Sequence, residues 1–450
     1  MADSRQAFEL GSMALRAAWA AGHAELQREA LERLERRLPQ GDFPNADLLP
    51  LLRQWWTQDQ GGGADDRGQV VAPGAEVLRR IGGGSWFLMP PAPVALAWGI
   101  ESALDEALRS EIDRLRPTDH VTALTQALAE AAALGIAQGS WTSTAANALE
   151  GLQVAEEIGD DHLASQCRNC LGWLAAARGE EAAVADYAAL AFQVSVPRSV
   201  RLLSAATQWT LGMSALFAGR PDQALDHLVC LTEEGHHAAH PTIAVLAAPD
   251  TAEAAIQSGQ RATAEEQARV LRAWAERTDA AWAISATHLV HALLASGADA
   301  EKHFRLALDA PGARSRPFNH ARTRLLYGEW LRRAGRRADA RAQLAEAEQI
   351  FRRLDAAPLL ARTRAEHELT GQHPRRDITP APDTAAVLTP QELRVTRLAA
   401  QGLTNREIGA QLLISPRTVG HHLANVFPKL GIVSRADLAC IDFGDGPAAR

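Results

Sequence analysis

The sequence predicts an all-α protein, in which a helical-repeat solenoid is followed by a C-terminal helix–turn–helix domain. Two observations predict this fold class. Glycines recur at intervals of 38 to 40 residues through the middle of the chain. Near the C-terminus, short amphipathic segments each begin with a helix-capping signal. The chain of 450 residues is too long for one core, so a repeat array or about two to four domains are expected.

Composition and charge exclude several classes of protein. Hydrophobic residues make up 47% of the chain and the formal net charge is -8, which is typical of a folded globular protein. No apolar run approaches the roughly 20 residues that a membrane-spanning helix needs. The first residues show no charged-then-apolar signal pattern. We therefore expect a cytoplasmic protein with no membrane contact.

Lysine occurs only at Lys302 and Lys429, while arginine fills every other basic position. A phosphate-binding P-loop needs Gly-Lys followed by Ser or Thr, and neither lysine has those neighbours. The glycine runs 61–63 and 82–84 are therefore interpreted as loops. No nucleophile–base–acid arrangement is evident either. We predict that the protein is not an enzyme and holds no cofactor.

Two groups of residues have some character of metal ligands. Cys167 and Cys170 have ligand spacing, but no second pair accompanies them, so small residues within a helix pair are the favoured interpretation. The four cysteines of the chain are too scattered for a disulfide framework. A run of acidic and histidine side chains before Pro241 is interpreted as a solvated loop, with metal binding as the alternative: Glu233, Glu234, His236, His237 and His240. No metal site is predicted.

Residues 1–98 are expected to form an N-terminal helical and loop-rich region. Residues 1 to about 38 have leucines at helical spacing, and residues 45–57 resemble a second short helix. Eight glycines between residues 61 and 84 indicate loops.

Residues 99–370 are predicted to be an α-helical repeat region. The repeating glycines are Gly99, Gly139, Gly179, Gly219, Gly259, Gly297 and Gly335. The residue nine positions after each is apolar, namely Leu108, Ala148, Ala188, Leu228, Ala268, Leu306 and Leu344. The residue five positions after each glycine is also apolar in most repeats. The two positions lie on the same face of a helix, so they form an apolar stripe on the helix that follows each glycine turn. Such helix pairs stack into a solenoid with a concave surface, whereas an irregular helical bundle is the alternative.

A stretch with the composition of a linker, residues 371–387, separates the repeats from the last domain, residues 388–441, which a short tail at 442–450 follows. Four helices are predicted in this domain from their start signals, at Thr389, Thr404, Ser415 and Ser434. Only residues 412–414 separate the second helix from the third, which is the spacing of a helix–turn–helix. The predicted core is Val395, Leu398, Ala399, Leu403, Ile408, Leu412, Ile414, Val419, Leu423, Val426, Phe427 and Leu430.

The charge of this domain favours nucleic-acid binding. It holds six basic and three acidic side chains, a net charge of +3, so the rest of the chain carries -11. A basic module on an acidic body is typical of DNA-binding proteins. We expect the helix at 416–430 to lie in the major groove. The predicted phosphate contacts are Thr404, Asn405, Arg406, Arg417 and Thr418, and the predicted contacts to base edges are Gly420, His421 and Ala424.

Residues 388–441 resemble a LuxR-type DNA-binding domain. The resemblance is carried by the segments 388–389, 402–408, 414–415, 418–419, 422–423, 429–432 and 434–435, with Glu392. A wider resemblance, over roughly residues 130–440, is to the C-terminal half of the large ATP-binding LuxR-type regulators. It rests on residues 325–333 and 427–432. From their period, the helical repeats are interpreted as TPR-like. Those regulators usually carry an N-terminal nucleotide-binding module with a P-loop, and this sequence shows no P-loop. We therefore interpret this chain as either a short member or a truncated one.

The third helix departs from many LuxR-type domains. Gly420 stands where lysine often follows Thr-Val, Ala424 stands at a position that is often basic, and Pro428 is expected to weaken or kink the last turn. We therefore expect modest affinity per domain and a homodimer on double-stranded DNA. The helical repeats would then be a sensor or interaction module for a protein or small-molecule effector. The alternative is a helical-repeat protein–protein scaffold with weak or vestigial DNA binding.

Overall fold

The computed structural model describes residues 2–37, 89–371, 388–401, 403–412, 414–430 and 438. Within these residues every regular element is helical, which confirms the all-α fold class. The chain divides into two compact units, residues 1–370 and 371–450. The helix predicted at 45–57, the glycine-rich loops, the linker from residue 372 and the helix predicted to begin at Ser434 lie outside the described residues.

The first unit, called the repeat unit below, is a succession of short helices. They are α1 (Ala2–Ala20), α2 (Ala24–Arg37), α3 (Ala92–Trp98), α4 (Glu101–Leu115), α5 (Val121–Gln138), α6 (Trp141–Glu157), α7 (Asp161–Arg178), α8 (Glu181–Ser195), α9 (Arg201–Phe217), α10 (Pro221–Val229), α11 (Pro241–Gln257), α12 (Arg261–Thr278), α13 (Ala281–Leu294), α14 (Gly297–Asp309), a 3₁₀ turn (Ala313–Ser315), α15 (Pro317–Arg333), α16 (Arg337–Leu354) and α17 (Ala357–Leu369).

Successive helices of the repeat unit pack against each other in pairs. The first helix of a pair also packs against the first helix of the next pair, along the series α5, α7, α9, α11 and α13. Each pair therefore covers the apolar face of its neighbour, as stacked helical repeats do. The structure confirms the predicted solenoid.

The repeating glycines allow the chain to turn between paired helices. All seven have a positive φ, between 59° and 80°. At the end of α5, for example, the Gly139 N–H and the Ser140 N–H donate back to carbonyls of the last turn, at 3.4 and 2.9 Å. A residue with a Cβ is strained in this left-handed conformation, which explains the recurrence of glycine.

The predicted apolar stripe is buried in six of the seven repeats. The exception is Leu306, which is 39% exposed. In that repeat Gly297 lies inside the first turn of α14 instead of ending the helix before it. Counting nine residues from Gly297 therefore leads to the exposed face of α14. The buried face of this helix carries Ala300, Phe304 and Ala307.

Residues 2–37, in the stretch expected to be helical, form two helices, because the chain turns at Gly22, where φ is 64°. One further sequence prediction needs correction. The histidine run before α11 is not wholly a solvated loop. His240 is buried, its Nε2 is 2.9 Å from the Trp19 carbonyl oxygen, and burial lowers its pKa to about 4. This histidine joins α1 to α11.

Repeats that are distant in sequence meet in space. α17 packs against α7, α15 packs against α5, and α3 packs against α11. The approach is close: a Cβ added at Gly179 would lie 2.9 Å from Pro358, and one added at Gly139 would lie 2.5 Å from Pro317. The first helices of the pairs thus surround an internal space.

The second unit contains α18 (Pro390–Ala400), α19 (Asn405–Leu412) and α20 (Pro416–Leu430). Its buried core is Leu388, Val395, Ala399, Ile408, Val419, Leu423, Val426 and Leu438. Six of these were predicted from helical spacing, and five more predicted positions are partly buried against them, namely Leu398, Leu403, Leu412, Ile414 and Phe427. α20 continues through Pro428 to Leu430.

Candidate nucleic-acid interface

Reciprocal caps fix the starts of α18 and α19. The Thr389 N–H donates to Glu392 Oε2 at 2.9 Å, and the Glu392 N–H donates to Thr389 Oγ1 at 3.3 Å. At α19 the Thr404 N–H donates to Glu407 Oε2 at 2.6 Å, and the Glu407 N–H donates to Thr404 Oγ1 at 3.3 Å. Both pairs are the capping boxes that the sequence predicts. The two capping boxes fix the first turns of α18 and α19, which both pack against α20.

The start of α20 is capped by Ser415. The Thr418 N–H donates to Ser415 Oγ at 3.0 Å, and the two hydroxyls are hydrogen-bonded at 2.7 Å. Ser415, Arg417 and Thr418 are all exposed. The N-terminal end of this helix, with its partial positive charge, is therefore open to an approaching anion.

A salt bridge ties the end of α20 to the start of α18. Lys429 Nζ donates to both carboxylate oxygens of Glu392 at 2.7 Å. This bridge and the Thr389 bonds lower the pKa of Glu392 to about 2. The sequence does not predict this bridge, because a contact across 37 residues leaves no local pattern. The bridge joins the end of α20 to the start of α18 and engages Lys429 within the domain.

Gly409 sets the turn between α19 and α20, and sequence reasoning missed it. The Ile414 N–H donates to the Gly409 carbonyl oxygen at 3.0 Å. A Cβ at Gly409 would lie 2.7 Å from the Ile414 carbonyl oxygen, which is backbone and cannot rotate away. A glycine in the middle of a short helix, three residues before the turn, was the available signal.

The face of α20 away from the core carries the predicted DNA-contacting residues. Arg417, Thr418, His421 and Ala424 are exposed, whereas Gly420 is half-buried. The nearest atom to a Cβ added at Gly420 is Asn405 Nδ2, at 3.6 Å, which is an ordinary contact. The turn thus brings Asn405, at the start of α19, next to the middle of α20. The side chain of Arg406 lies outside the described part of the structure.

One predicted phosphate contact is already engaged within the domain. The Thr404 hydroxyl donates to Glu407 Oε2 at 2.8 Å, and its N–H donates to the same oxygen. Hydrogen bonds to Thr404 lower the pKa of the Glu407 carboxyl. Both donors of Thr404 are therefore used in the cap of α19, and its predicted phosphate contact would require one of these bonds to break.

Cys167 and Cys170 lie on α7, far from this surface in sequence. Both thiols are buried and free, and burial raises the pKa of Cys167 to about 12 and that of Cys170 further above its ordinary value. They pack as small apolar side chains within a helix pair.

Residues 386–441 match the family described as "Bacterial regulatory proteins, luxR family". The C-terminal domain belongs to this family. Over 51 residues the chain is 51% identical to a Mycobacterium bovis protein named "Putative HTH-type transcriptional regulator", and the match covers 11% of this chain and 6% of that protein. The chain is also similar to the response regulator Rre1 of Synechocystis sp., with 32% identity over 124 residues, or 28% of this chain and 49% of that protein. The chain thus spans less than half the length of these curated relatives.

The chain has a distant structural neighbour. It is a crystal structure of a Rap protein complexed with Competence and Sporulation Factor, with a TM-score of 0.44 and 10% sequence identity, and the match covers 82% of this chain and 98% of that one.

None of the described helices combines the length and the apolar composition that a membrane crossing requires.

Proposed function

We propose that this protein is a sequence-specific DNA-binding transcriptional regulator in which α20 enters the major groove. One observation carries the proposal: α20, in a domain of the luxR family, presents an exposed polar face around its capped N-terminal end. In helix–turn–helix proteins the N-terminal half of this helix contacts base edges. The two capping boxes and the Lys429–Glu392 bridge support the orientation of α20.

The side chains on this face divide into two roles. Arg417 and Thr418, at the first turn of α20, are proposed to hold phosphates with Thr404, Asn405 and Arg406 of α19. His421 is proposed to read a base edge. Gly420 and Ala424 flank it and leave room for the groove floor, because neither projects a long side chain. The α20 face itself has one cation, Arg417, and one imidazole, His421, which implies modest affinity, so we propose that a homodimer binds two half-sites.

The repeat unit is proposed to be the sensor or interaction module of the regulator. The second candidate function, a helical-repeat scaffold with weak DNA binding, is favoured by one observation: Lys429, one of the cations of α20, is engaged by Glu392. The two functions differ in the strength and salt dependence of DNA binding.

A gel-shift titration of the full chain against DNA from its own upstream region tests the proposal. We expect binding whose log affinity falls linearly with log salt, with a slope of about -0.9 per neutralised phosphate. Absence of any shift at low salt would favour the scaffold. A footprint covering one half-site only would contradict the homodimer.

Single substitutions then test the assigned roles. Arg417→Ala should weaken binding to all sequences alike and reduce the salt slope by about one. His421→Ala should cost about 1–3 kcal/mol on the best site and relax discrimination at one base pair. The matched control is Arg394→Ala, an exposed arginine of α18 on the same unit. Equal losses for the Arg417 and Arg394 variants would show that overall charge, and not the α20 face, determines binding.

A further inference from the structure

The internal space of the repeat unit is a cavity of about 580 Å³. Pockets of roughly 300–1,000 Å³ hold small organic ligands in proteins. Its helical wall comes from α1, α3 and the first helices of the pairs, α5, α7, α9, α11, α13 and α15. We propose that this cavity binds a neutral, mainly apolar small molecule that carries one uncharged polar group. The proposal deepens the sensor role and, where it concerns regulation, rests on the proposed function.

Aromatic carbon forms a large part of the wall. The indole N–H groups of Trp19, Trp209 and Trp282 already donate to Thr242 Oγ1, Asp250 Oδ2 and the Ala97 carbonyl oxygen, at 2.8 to 3.0 Å. These tryptophans therefore have ring carbons, and not a free donor, to offer a ligand. Two further wall residues, Trp173 and Phe318, meet edge to face with ring centroids 5.3 Å apart. Such a surface favours an apolar ring system.

The charged side chains of the wall have partners within the protein. Arg16 is paired with Glu130, and Arg316 Nε donates to Glu101 at 2.9 Å. Arg322 binds Asp250 at 2.5 Å and also Glu253 at 2.6 Å. An ionic ligand would lose its hydration without gaining an uncommitted counter-charge, which is costly in an apolar site. The pairing therefore selects against charged ligands.

The histidines of the wall add no charge at neutral pH. Burial lowers the pKa of His162, and it lowers the pKa of His320 to about 4. Both groups have folded-state pKa values below their ordinary value of 6.5, so both rings are neutral at pH 7.

One side of the cavity is polar but uncharged overall. Gln126 Nε2 donates to Glu130 at 2.8 Å and to Gln166 Oε1 at 3.2 Å, and Gln166 lies 3.4 Å from His162 Nε2. These side chains project from α5 and α7 and meet the Arg16–Glu130 pair. Amides both donate and accept, so this side suits a hydroxyl or amide group on an otherwise apolar ligand.

A chain of buried ion pairs connects the cavity with the last helix of the unit. Asp250 and Arg322, on the wall, are linked through Glu253 to Arg362 on α17. Arg362 also donates to Glu329 at 2.7 Å. Burial raises the pKa of Asp250, whereas Arg322 and Arg362 hold the pKa of Glu253 below its ordinary value. A ligand that alters the Asp250–Arg322 contact would thus alter the packing of α17, which ends at Leu369, just before residues 371–387.

Two dyes with the same ring system test the ligand class. N-phenyl-1-naphthylamine is neutral, and 1-anilinonaphthalene-8-sulfonate differs from it by one anionic sulfonate. We expect the full chain to bind the neutral dye saturably, with one site per chain and with quenching of tryptophan fluorescence. The sulfonate should bind at least about tenfold more weakly. Equal binding of both dyes, or binding without saturation, would overturn the proposal.

Two cavity-filling variants locate the site. Ala206→Phe and Ala286→Phe place a ring in the cavity from α9 and from α13. The matched control, Ala185→Phe, places the same ring on the exposed face of α8. We expect the first two variants to weaken binding of the neutral dye by at least about tenfold and the control to leave it unchanged, with all three unfolding as the parent does. Unchanged binding in both folded cavity variants would overturn the proposal, and the use of two positions guards against misfolding of either.

The DNA measurement is kept separate from the dye measurement. If the chain binds the neutral dye but no DNA, the proposed function fails and the cavity stands. If it binds DNA but shows no saturable dye site, the ligand proposal fails and the regulator stands. A saturating concentration of the neutral dye should change DNA affinity in the parent protein but not in Ala206→Phe.

Discussion

The repeat unit and the helix–turn–helix unit place their polar side chains in opposite ways. The repeat unit buries ion pairs such as Arg322 with Asp250 around an internal cavity. The second unit buries a small apolar core and exposes Arg417, Thr418 and His421 on one helix. This difference fits the two proposals, that the repeat unit encloses a small ligand and that the second unit presents a surface to DNA. Variants of both units test that contrast.

The largest effect is expected from the buried cation of the repeat unit. Arg322→Met should destabilise this unit by about 3–5 kcal/mol, because Asp250 and Glu253 would remain buried without their partner. All eleven tryptophans precede residue 371, so urea denaturation followed by tryptophan fluorescence reports on this unit. The control Arg261→Met removes an exposed ion pair with Glu265 and should change little. If the two variants had equal stability, the buried network would have no special role.

A second pair of variants compares equivalent positions of two repeats. Leu344 is fully buried, whereas Leu306, at the same distance from its glycine, is 39% exposed. Leu344→Ala should cost about 2–5 kcal/mol by the same fluorescence measurement. Leu306→Ala should stay within about 0.5 kcal/mol of the parent. Similar losses at both positions would contradict the exposed position of Leu306 on α14.

Two helical glycines of the second unit should respond in opposite directions to alanine. Gly409→Ala should destabilise it by about 1–3 kcal/mol, because the added Cβ meets backbone at 2.7 Å. Gly420→Ala, with its nearest neighbour at 3.6 Å, should stabilise α20 by up to about 1 kcal/mol. Hydrogen exchange of peptides from residues 390–430 in the full chain measures both. Faster exchange in both variants would show that the space around Gly420 is smaller than described.

The smallest effect is a change in the titration of Glu392. Its pKa of about 2 lies below the ordinary value of 4.5, so its contribution to stability is present above pH 4.5 and is lost as the pH falls toward 2. In Lys429→Met the pKa should rise but stay below 4.5, because the Thr389 bonds remain. Carbon-detected NMR titration of the carboxyl measures it, with Glu407 as an internal control. An unchanged Glu392 pKa would show that the Lys429 bridge does not lower it.

The first three helix starts of the second unit and most of its described core could be predicted because their signals are local. The cap at Thr389 involves a residue three positions away, and the buried positions Val395 and Ala399 follow helical spacing. What the sequence could not show were contacts across longer separations, such as Lys429 with Glu392. The steric demand at Gly409 also depends on where residues 414–416 return in space.

The repeat unit was predictable in its period but not in its interior. Glycine spacing predicted helix pairs, because each turn needs a left-handed residue at the same place. The cavity was not predictable, since Arg16 and Glu130 are 114 residues apart and Trp209 meets Asp250 across 41. The wrong prediction at Leu306 arose because the spacing from Gly297 does not show that α14 begins at this glycine.

Site-specific cross-linking tests the central claim, that the exposed face of α20 contacts DNA. A photoreactive benzoylphenylalanine is placed at His421 or, as control, at Gln401, an exposed residue just after α18. The full chain is bound to its upstream DNA and irradiated. We expect cross-links to bases of the bound site from position 421 and none from position 401. Cross-links from 401 alone, or none from 421 in a protein that still binds this DNA, would contradict the claim.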